Sequence, residues 1–184
     1  MLRIASGLYK GRVLRTGKDP AVRPTMSRIK LSFFDTVQNQ IREKIFLDGF
    51  AGTGNIGIEA LSRGAEYAVF IDELPEAARL IGHNIEKIGI RSDYFRIIRG
   101  DFNRSIISLA KEGFQFDFVY LDPPYEILEY ANPLKVIFKR NALKTDGTIV
   151  LERPTDLLFQ SAYFRLVRSQ PLGGKSLDYY RYGA

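Results

Sequence analysis

At 184 residues the chain is of a size to fold as one domain with at most a small appendage, and a hydrophobic share of 45% suffices for a sizeable core. It has no cysteine and a single histidine, His83, which excludes a disulfide framework, a thiolate metal site and a zinc ribbon, and no metal is expected. The net charge of +6 is unevenly placed: the first 30 residues hold eight basic side chains against Asp19 alone, while the remainder carries 19 basic and 20 acidic residues.

A basic start on a neutral body suggests an anionic partner, most readily nucleic acid; a solvated basic face without a partner is the plain alternative. No apolar run reaches membrane-spanning length and no signal-peptide core is visible, so a cytoplasmic protein is expected, acting as a monomer without membrane or metal.

In chain order, residues 2–16 contain two short strand-like runs around Gly7 and Gly11, which predict a two-stranded β-hairpin that must lean on the body or on a ligand. Residues 1–22 therefore read as a basic hairpin extension and 23–184 as the main domain. Ser27 is placed to cap a helix from Arg28 to Arg42, with Ile29, Phe33, Val37 and Ile41 on one face. Strands are predicted at Ile45–Phe50, Tyr67–Asp72, Phe95–Gly100, Phe116–Leu121 and Gly147–Glu152. Helices are predicted between them at Ile56–Ser62, Pro75–Ile88, Arg104–Lys111 and Tyr130–Leu143. Such alternation implies a mostly parallel sheet covered on both faces. After Pro154 the pattern changes to two strands, Phe164–Ser169 and Leu177–Tyr182, joined by a Pro/Gly loop, which predicts a C-terminal antiparallel hairpin.

The chemistry-bearing residues fall at predicted strand ends. Gly52-Thr53-Gly54-Asn55-Ile56-Gly57 has the G-x-G-x-x-G spacing, preceded by Phe50-Ala51, and Asp72 lies twenty residues beyond Gly52. That spacing fits a dinucleotide site, although glycines admit any ligand to the backbone and an acid after the second strand suits any ribose. Asp48, ahead of the glycines, would repel a pyrophosphate and suits a cationic ligand end. Asp101-Phe102 is placed to take an adenine amine and ring face, or simply to cap a helix. Asp122-Pro123-Pro124-Tyr125 stops a buried strand abruptly, since neither proline donates a ladder hydrogen bond. Such a stiff loop holds an acceptor pair, the Asp122 carboxylate and the Pro123 carbonyl, for the two hydrogens of a ring-conjugated amine while Tyr125 stacks on the ring. A capped turn with no ligand is the alternative. Together, a cationic amino-acid end, a ribose and an adenine beside an amine-polarising loop describe S-adenosyl-L-methionine next to its acceptor.

The chain resembles the RsmD family of bacterial ribosomal RNA methyltransferases. The likeness runs through Arg3–Gly11, Arg23-Pro24-Thr25 with Arg28, Leu47–Ala65, Asn84, Asp122–Tyr125, Glu152, Gly174–Leu177 and Tyr179. Asp72 stands where Glu is common in that family, and Gly49 where Leu is common, a change expected to loosen the turn. The resemblance implies a class I S-adenosylmethionine-dependent methyltransferase sheet with a reversed final strand, a Rossmann-like α/β fold. It implies methylation of the exocyclic N2 of a guanine in 16S ribosomal RNA, with ribosomal RNA or the small subunit as partner. It also implies that the Arg23-Pro24-Thr25 loop and Arg28 lie near the active site. Arg3, Lys10, Arg12 and Arg15 on the hairpin are candidates for phosphate contacts. Three rival readings remain: an N6-adenine methyltransferase on DNA or RNA, a NAD-dependent oxidoreductase using Gly52–Gly57, and a non-catalytic RNA-binding protein.

Overall fold

The apolar runs form strands β1 (Ile45–Gly49), β2 (Tyr67–Asp72), β3 (Phe95–Arg99) and β4 (Phe116–Leu121), followed by β5 (Leu143–Pro154), β6 (Arg165–Leu172) and β7 (Lys175–Arg181). The computed structural model describes residues 2–17, 23–130 and 132–183. One seven-stranded sheet has the order β3-β2-β1-β4-β5-β7-β6, parallel through β5 and antiparallel at β5–β7 and β7–β6. This is the mostly parallel, reversed-end sheet expected of a class I methyltransferase.

Helices α1 (Arg23–Val37), α2 (Asn55–Ser62), α3 (Pro75–Ile88), α4 (Phe102–Lys111), α5 (Tyr125–Tyr130) and α6 (Pro133–Lys139) cover both faces. The strands read as near-continuous apolar runs because each face meets its own core. Phe46, Phe70, Phe118 and Tyr120 pack with Phe33 and Phe34 of α1, Ile58 of α2 and Ile81 of α3. Their neighbours Leu47, Ile71, Val119 and Leu121 pack with Ile106 of α4 and Leu134 and Ile137 of α6. Among the described residues no helix is long and apolar enough to cross a membrane.

Four elements differ from expectation. The first helix begins at Arg23, so Ser27 lies inside it rather than capping it, and its end tightens into a 3₁₀ turn at Gln38–Ile41. The helix expected over Tyr130–Leu143 is confined to α6, and the separate short helix α5 lies ahead of it. Pro133 occupies the first turn of α6, and Asn132 Oδ1 accepts from the Leu134 and Lys135 N–H groups (3.1 and 3.3 Å), a cap that starts a new helix. Strand β5 starts at Leu143, because the Asp146-Gly147 pair lies in a bulge between the pairings Phe116–Leu143 and Phe118–Thr148 rather than in a preceding turn.

The N-terminal segment is an irregular hairpin laid as a strap on the body: an isolated antiparallel bridge joins Arg3 and Val13, and Ile4, Gly11 and Leu14 N–H donate across it to the Arg12, Ile4 and Leu2 carbonyls (3.0, 2.8 and 2.9 Å). Other backbone donors tie it to the body: Ala5 and Ser6 N–H donate to Glu59 (2.8 and 3.0 Å), and Leu8 N–H donates to the Ser62 carbonyl (2.7 Å). Leu2, Ile4 and Leu14 are buried in the main core. Gly7, at φ +82°, lies so close to the end of α2 that an added Cβ would stand 1.7 Å from the Ser62 carbonyl oxygen. No other residue fits there.

Candidate active site

The carboxyl ends of β1, β2 and β4 lie side by side, and each delivers one carboxylate to the same edge. After β1 the chain turns through Phe50 (φ +61°) and Gly52 (φ +55°) into Gly54 (φ +74°), which precedes α2. The turn is tied down by its acids. Gly57 N–H donates to Asp48 Oδ2 (2.8 Å), and Gly52 N–H donates to Asp72 Oδ2 (2.9 Å), whose other oxygen accepts from Leu74 N–H (2.9 Å). Each Asp72 oxygen keeps a further lone pair for a ligand hydroxyl.

Asp48 is 2% exposed. Burial, followed by the charges of Asp72 and Asp122, pushes its carboxyl up to about 8 against the opposing Gly57 hydrogen bond. An uncharged Asp48 at neutral pH is primed to ionise when a cation comes beside it.

Two adjoining cavities open along this edge. One, of about 290 Å³, is lined by Asp48, Phe50, Ala51, Gly52, Thr53, Asn55, Tyr120, Asp122 and Glu152, with Gly17 from the strap. The other, of about 230 Å³, is lined by Phe50, Asp72, Gly100, Asp101, Phe102, Asp122 and Pro124. Phe50, Leu74 and Asp122 belong to both. Among the described residues, two buried atoms beside the first cavity have no hydrogen-bond partner, Thr53 Oγ1 and Asn55 Nδ2. Buried donors are rarely left orphaned, so these two suit a ligand that brings acceptors.

Asp101 caps α4, its Oδ1 accepting from Arg104 N–H (2.9 Å), and the residue also lines the second cavity. Phe102 is buried with its ring stacked on Phe50 (centroids 5.0 Å apart). This pair explains Gly49. A Cβ there would lie 2.7 Å from both Phe102 Cε2 and Leu121 Cδ2, so the space expected to be empty is filled, and the turn is packed rather than loosened.

Asp122 stands on the rim, 45% exposed, with Pro123 buried beneath it. Lost hydration, then repulsion from Glu152, lifts its carboxyl to about 6, against the attraction of Lys175. Tyr125 begins α5, and its side chain lies outside the described residues, as do those of Arg23 and Thr25. Arg23 and Thr25 belong to the first turn of α1, not to a loop.

Arg3, Lys10, Arg12, Arg15 and Arg28 are exposed, with Arg3 Nη1 donating to the Gly11 carbonyl (3.0 Å). Arg15 shares a polar groove with Arg79 and His83, and Gly17 lines both that groove and the first cavity, so the basic strap arrives at the cleft. Buried Asn84 makes the junction: it accepts from Arg15 N–H (2.8 Å) and donates to the Arg15 and Thr53 carbonyls (3.1 and 2.9 Å). Lys30, counted within the basic start, is turned inward onto Glu59 and adds nothing to that surface.

Sequence reasoning assigned no role to Tyr120, Glu152 or Lys175. Tyr120 OH donates to Glu152 Oε2 (2.6 Å), and Lys175 Nζ reaches Asp122 Oδ1 (3.2 Å) and Glu152 Oε1. The one signal was position. Glu152 sits near the end of the strand beside β4, and the Pro154–Lys175 pairing of the reversed β7 brings a cation to the same edge.

The family model described as "Conserved hypothetical protein 95" matches residues 2–181. The chain belongs to this family. YlbH of Bacillus subtilis is 33% identical over 85% of this chain and 84% of its own length. Ribosomal RNA small subunit methyltransferase D of Haemophilus influenzae is 31% identical over 84% and 80% respectively. The solved hypothetical protein TTHA0928 of Thermus thermophilus superposes with a TM-score of 0.82 at 26% identity, covering 98% of this chain and 99% of that one. Relatives of this family therefore match both the sequence and the sheet along most of the chain.

Proposed function

We propose that the protein is a ribosomal RNA methyltransferase that uses S-adenosyl-L-methionine to methylate the exocyclic N2 amine of a guanine in the small-subunit RNA. The observation that carries this reading is the placement of Asp122 on the rim common to two cavities, one ending at Asp48 and the other at Asp72 and Asp101. The residues suit the cofactor. Thr53 Oγ1 and Asn55 Nδ2 are unsatisfied groups for its carboxylate end, Asp48 faces its cationic portion, and Asp72 has lone pairs left for the ribose hydroxyls. Gly100, Asp101 and Phe102 bound the space for the adenine.

Bound there, S-adenosyl-L-methionine supplies a sulfonium methyl, the new N–C bond forming as the C–S bond breaks with its electron pair left on sulfur. The protein's part is orientation. Asp122 and the Pro123 carbonyl accept the amine hydrogens, which turns the nitrogen lone pair out of conjugation with the guanine ring, and Tyr125 stacks on the base. Holding the partners in that geometry is worth roughly several kcal/mol of barrier. The positive charge gained by the nitrogen is discharged by loss of one proton, to Asp122 or to water. A guanine in folded RNA must first leave its stack at a cost of roughly a few kcal/mol, which phosphate contacts by Arg3, Lys10, Arg12, Arg15, Arg23 and Arg28 offset. The acting form is a cytoplasmic monomer.

The test is transfer of labelled methyl to small subunits from a strain lacking the protein, with nucleoside mapping of the product. N2-methylguanosine is expected. N6-methyladenosine would select the adenine reading, and RNA binding without cofactor binding would select the non-catalytic one.

A further inference from the structure

The side-chain cluster around Lys175 lies at the rim of the cleft and has a specific geometry. The Lys175 ammonium sits between two carboxylates, 3.2 Å from Asp122 Oδ1 and in direct contact with Glu152 Oε1. The far oxygen of Glu152 accepts from the Tyr120 hydroxyl at 2.6 Å. Exposure falls inward along this chain, from 45% at Asp122 and 37% at Lys175 to 8% at Glu152 and 1% at Tyr120.

We propose that Lys175 is a positioning residue for Asp122: it occupies Oδ1, keeps the carboxylate charged, and so leaves Oδ2 as the acceptor for the substrate amine. Glu152 and Tyr120 hold Lys175 in place. The inference deepens the methyltransferase reading and rests on it for the identity of the amine.

The physical argument is one of competing charges. Among the described residues, Lys175 from β7, Glu152 from β5, Tyr120 from its own strand and Asp48 from β1 act on or with the Asp122 carboxyl, and Asp72, Glu73 and Asp101 line the second cavity with it. Tyr120 is neutral, because burial first and the Glu152 charge second raise its hydroxyl well above the ordinary value. Asp48 is largely protonated at neutral pH. Asp122 and Glu152 are thus left as two carboxylates in one crevice. Without the cation between them, the Glu152 charge acts on Asp122 unopposed and favours its protonated form. A protonated Asp122 offers the amine a hydroxyl and one fewer acceptor, and the orientation of the nitrogen lone pair is lost. A plain structural ion pair clamping β7 to the sheet would also move the Asp122 titration when Lys175 is lost, but the acid limb of the rate would not follow it.

The test uses Lys175→Met, Lys175→Arg, Glu152→Gln and the double variant Lys175→Met/Glu152→Gln, with thermal melts to establish folding. Two readouts are taken: the single-turnover rate on small subunits against pH, and the Asp122 carboxyl titration by ¹³C NMR, assigned with Asp122→Asn. In Lys175→Met the acid limb and the NMR midpoint both move up by about one unit or more, costing about fivefold or more in rate at pH 6. Lys175→Arg keeps the wild-type profile, Glu152→Gln moves the midpoint down, and the double variant returns towards wild type. An unmoved Asp122 midpoint in folded Lys175→Met overturns the proposal. If that variant fails to fold, an unmoved midpoint in Glu152→Gln does so instead. A moved midpoint with an unmoved acid limb marks a structural ion pair and also overturns the proposal; wild-type protein that transfers no methyl sinks the functional reading, while the midpoint still reports whether Lys175 acts on Asp122.

Discussion

The most exacting prediction concerns Glu59, which the strap, α1 and α2 all share. Its side chain is fully buried, and four donors converge on it: Lys30 Nζ and Ala5 N–H at Oε2 (2.9 and 2.8 Å), Arg63 Nε and Ser6 N–H at Oε1 (2.9 and 3.0 Å). Lys30 is 2% exposed and also donates to the Arg3 carbonyl (2.6 Å) and Asn55 Oδ1 (2.9 Å). Burial pulls its ammonium below the ordinary lysine value, against the attraction of Glu59. Glu59→Gln keeps the shape but turns an amide NH₂ towards one pair of donors. The cheaper orientation faces Arg63, which is 16% exposed and lies over the Phe34 ring, and so can swing out to solvent. Even then Lys30 becomes a buried cation without a counter-charge, a loss of roughly 3–5 kcal/mol. Lys30→Met removes the cation and leaves Arg63 on Glu59. It orphans two acceptors at about 1–3 kcal/mol each, partly offset by methionine packing. Glu59→Gln is therefore the more damaging, and the double variant falls short of the sum by about 1–3 kcal/mol, because each change removes the other's unpaired charge. Urea unfolding followed by circular dichroism measures this. With a slope of about 2 kcal/mol/M, a loss of about 4 kcal/mol lowers the midpoint by about 2 M. A Glu59→Gln loss below about 1 kcal/mol, or additivity within about 0.5 kcal/mol, would refute the reasoning.

Three other outcomes follow from the site. Asp122→Ala lowers methyl transfer by about 10²-fold or more while S-adenosylhomocysteine affinity by calorimetry stays within about a few-fold; near-normal rates would make the loop structural. Asp48 titrates near 8 when folded and near the ordinary carboxylate value when unfolded, so the ligand-free fold gains from the proton at low pH and loses that gain as pH rises from about 4 to about 8. Melts across that range should show a loss of up to about 1.4 kcal/mol per pH unit that Asp48→Asn abolishes, and S-adenosylhomocysteine binding should release a proton in wild type only. Gly7→Ala forces a methyl into the Ser62 carbonyl at positive φ, costing at least about 2 kcal/mol and lowering the melting temperature by about 4–8 °C; an unchanged melt would mean that the strap does not rest on α2.

What the chain alone determined is whatever depends on neighbours in sequence. Strand runs, the turn at Gly52–Gly54 and the stop at Pro123-Pro124 were legible because they follow from periodicity and from the missing donor of proline. Strand-end acids could be placed on one edge because parallel strands joined by helices all finish on the same side. Asn132-Pro133 is likewise a local signal, a helix start that sets the beginning of α6 at Pro133 rather than at Tyr130.

Only the tertiary structure decided the pairings between distant residues. Glu59 lies 54 positions from Ala5 and Lys175 lies 53 from Asp122, and no local pattern encodes which buried donor finds which acceptor. Those partners are selected by the requirement that charges taken out of water be met by others, which acts on positions in space. The reversal of β7 is the deciding step. By running antiparallel it presents the beginning of a strand where the other strands present their ends, and so sets a cation among carboxylates that would otherwise repel one another.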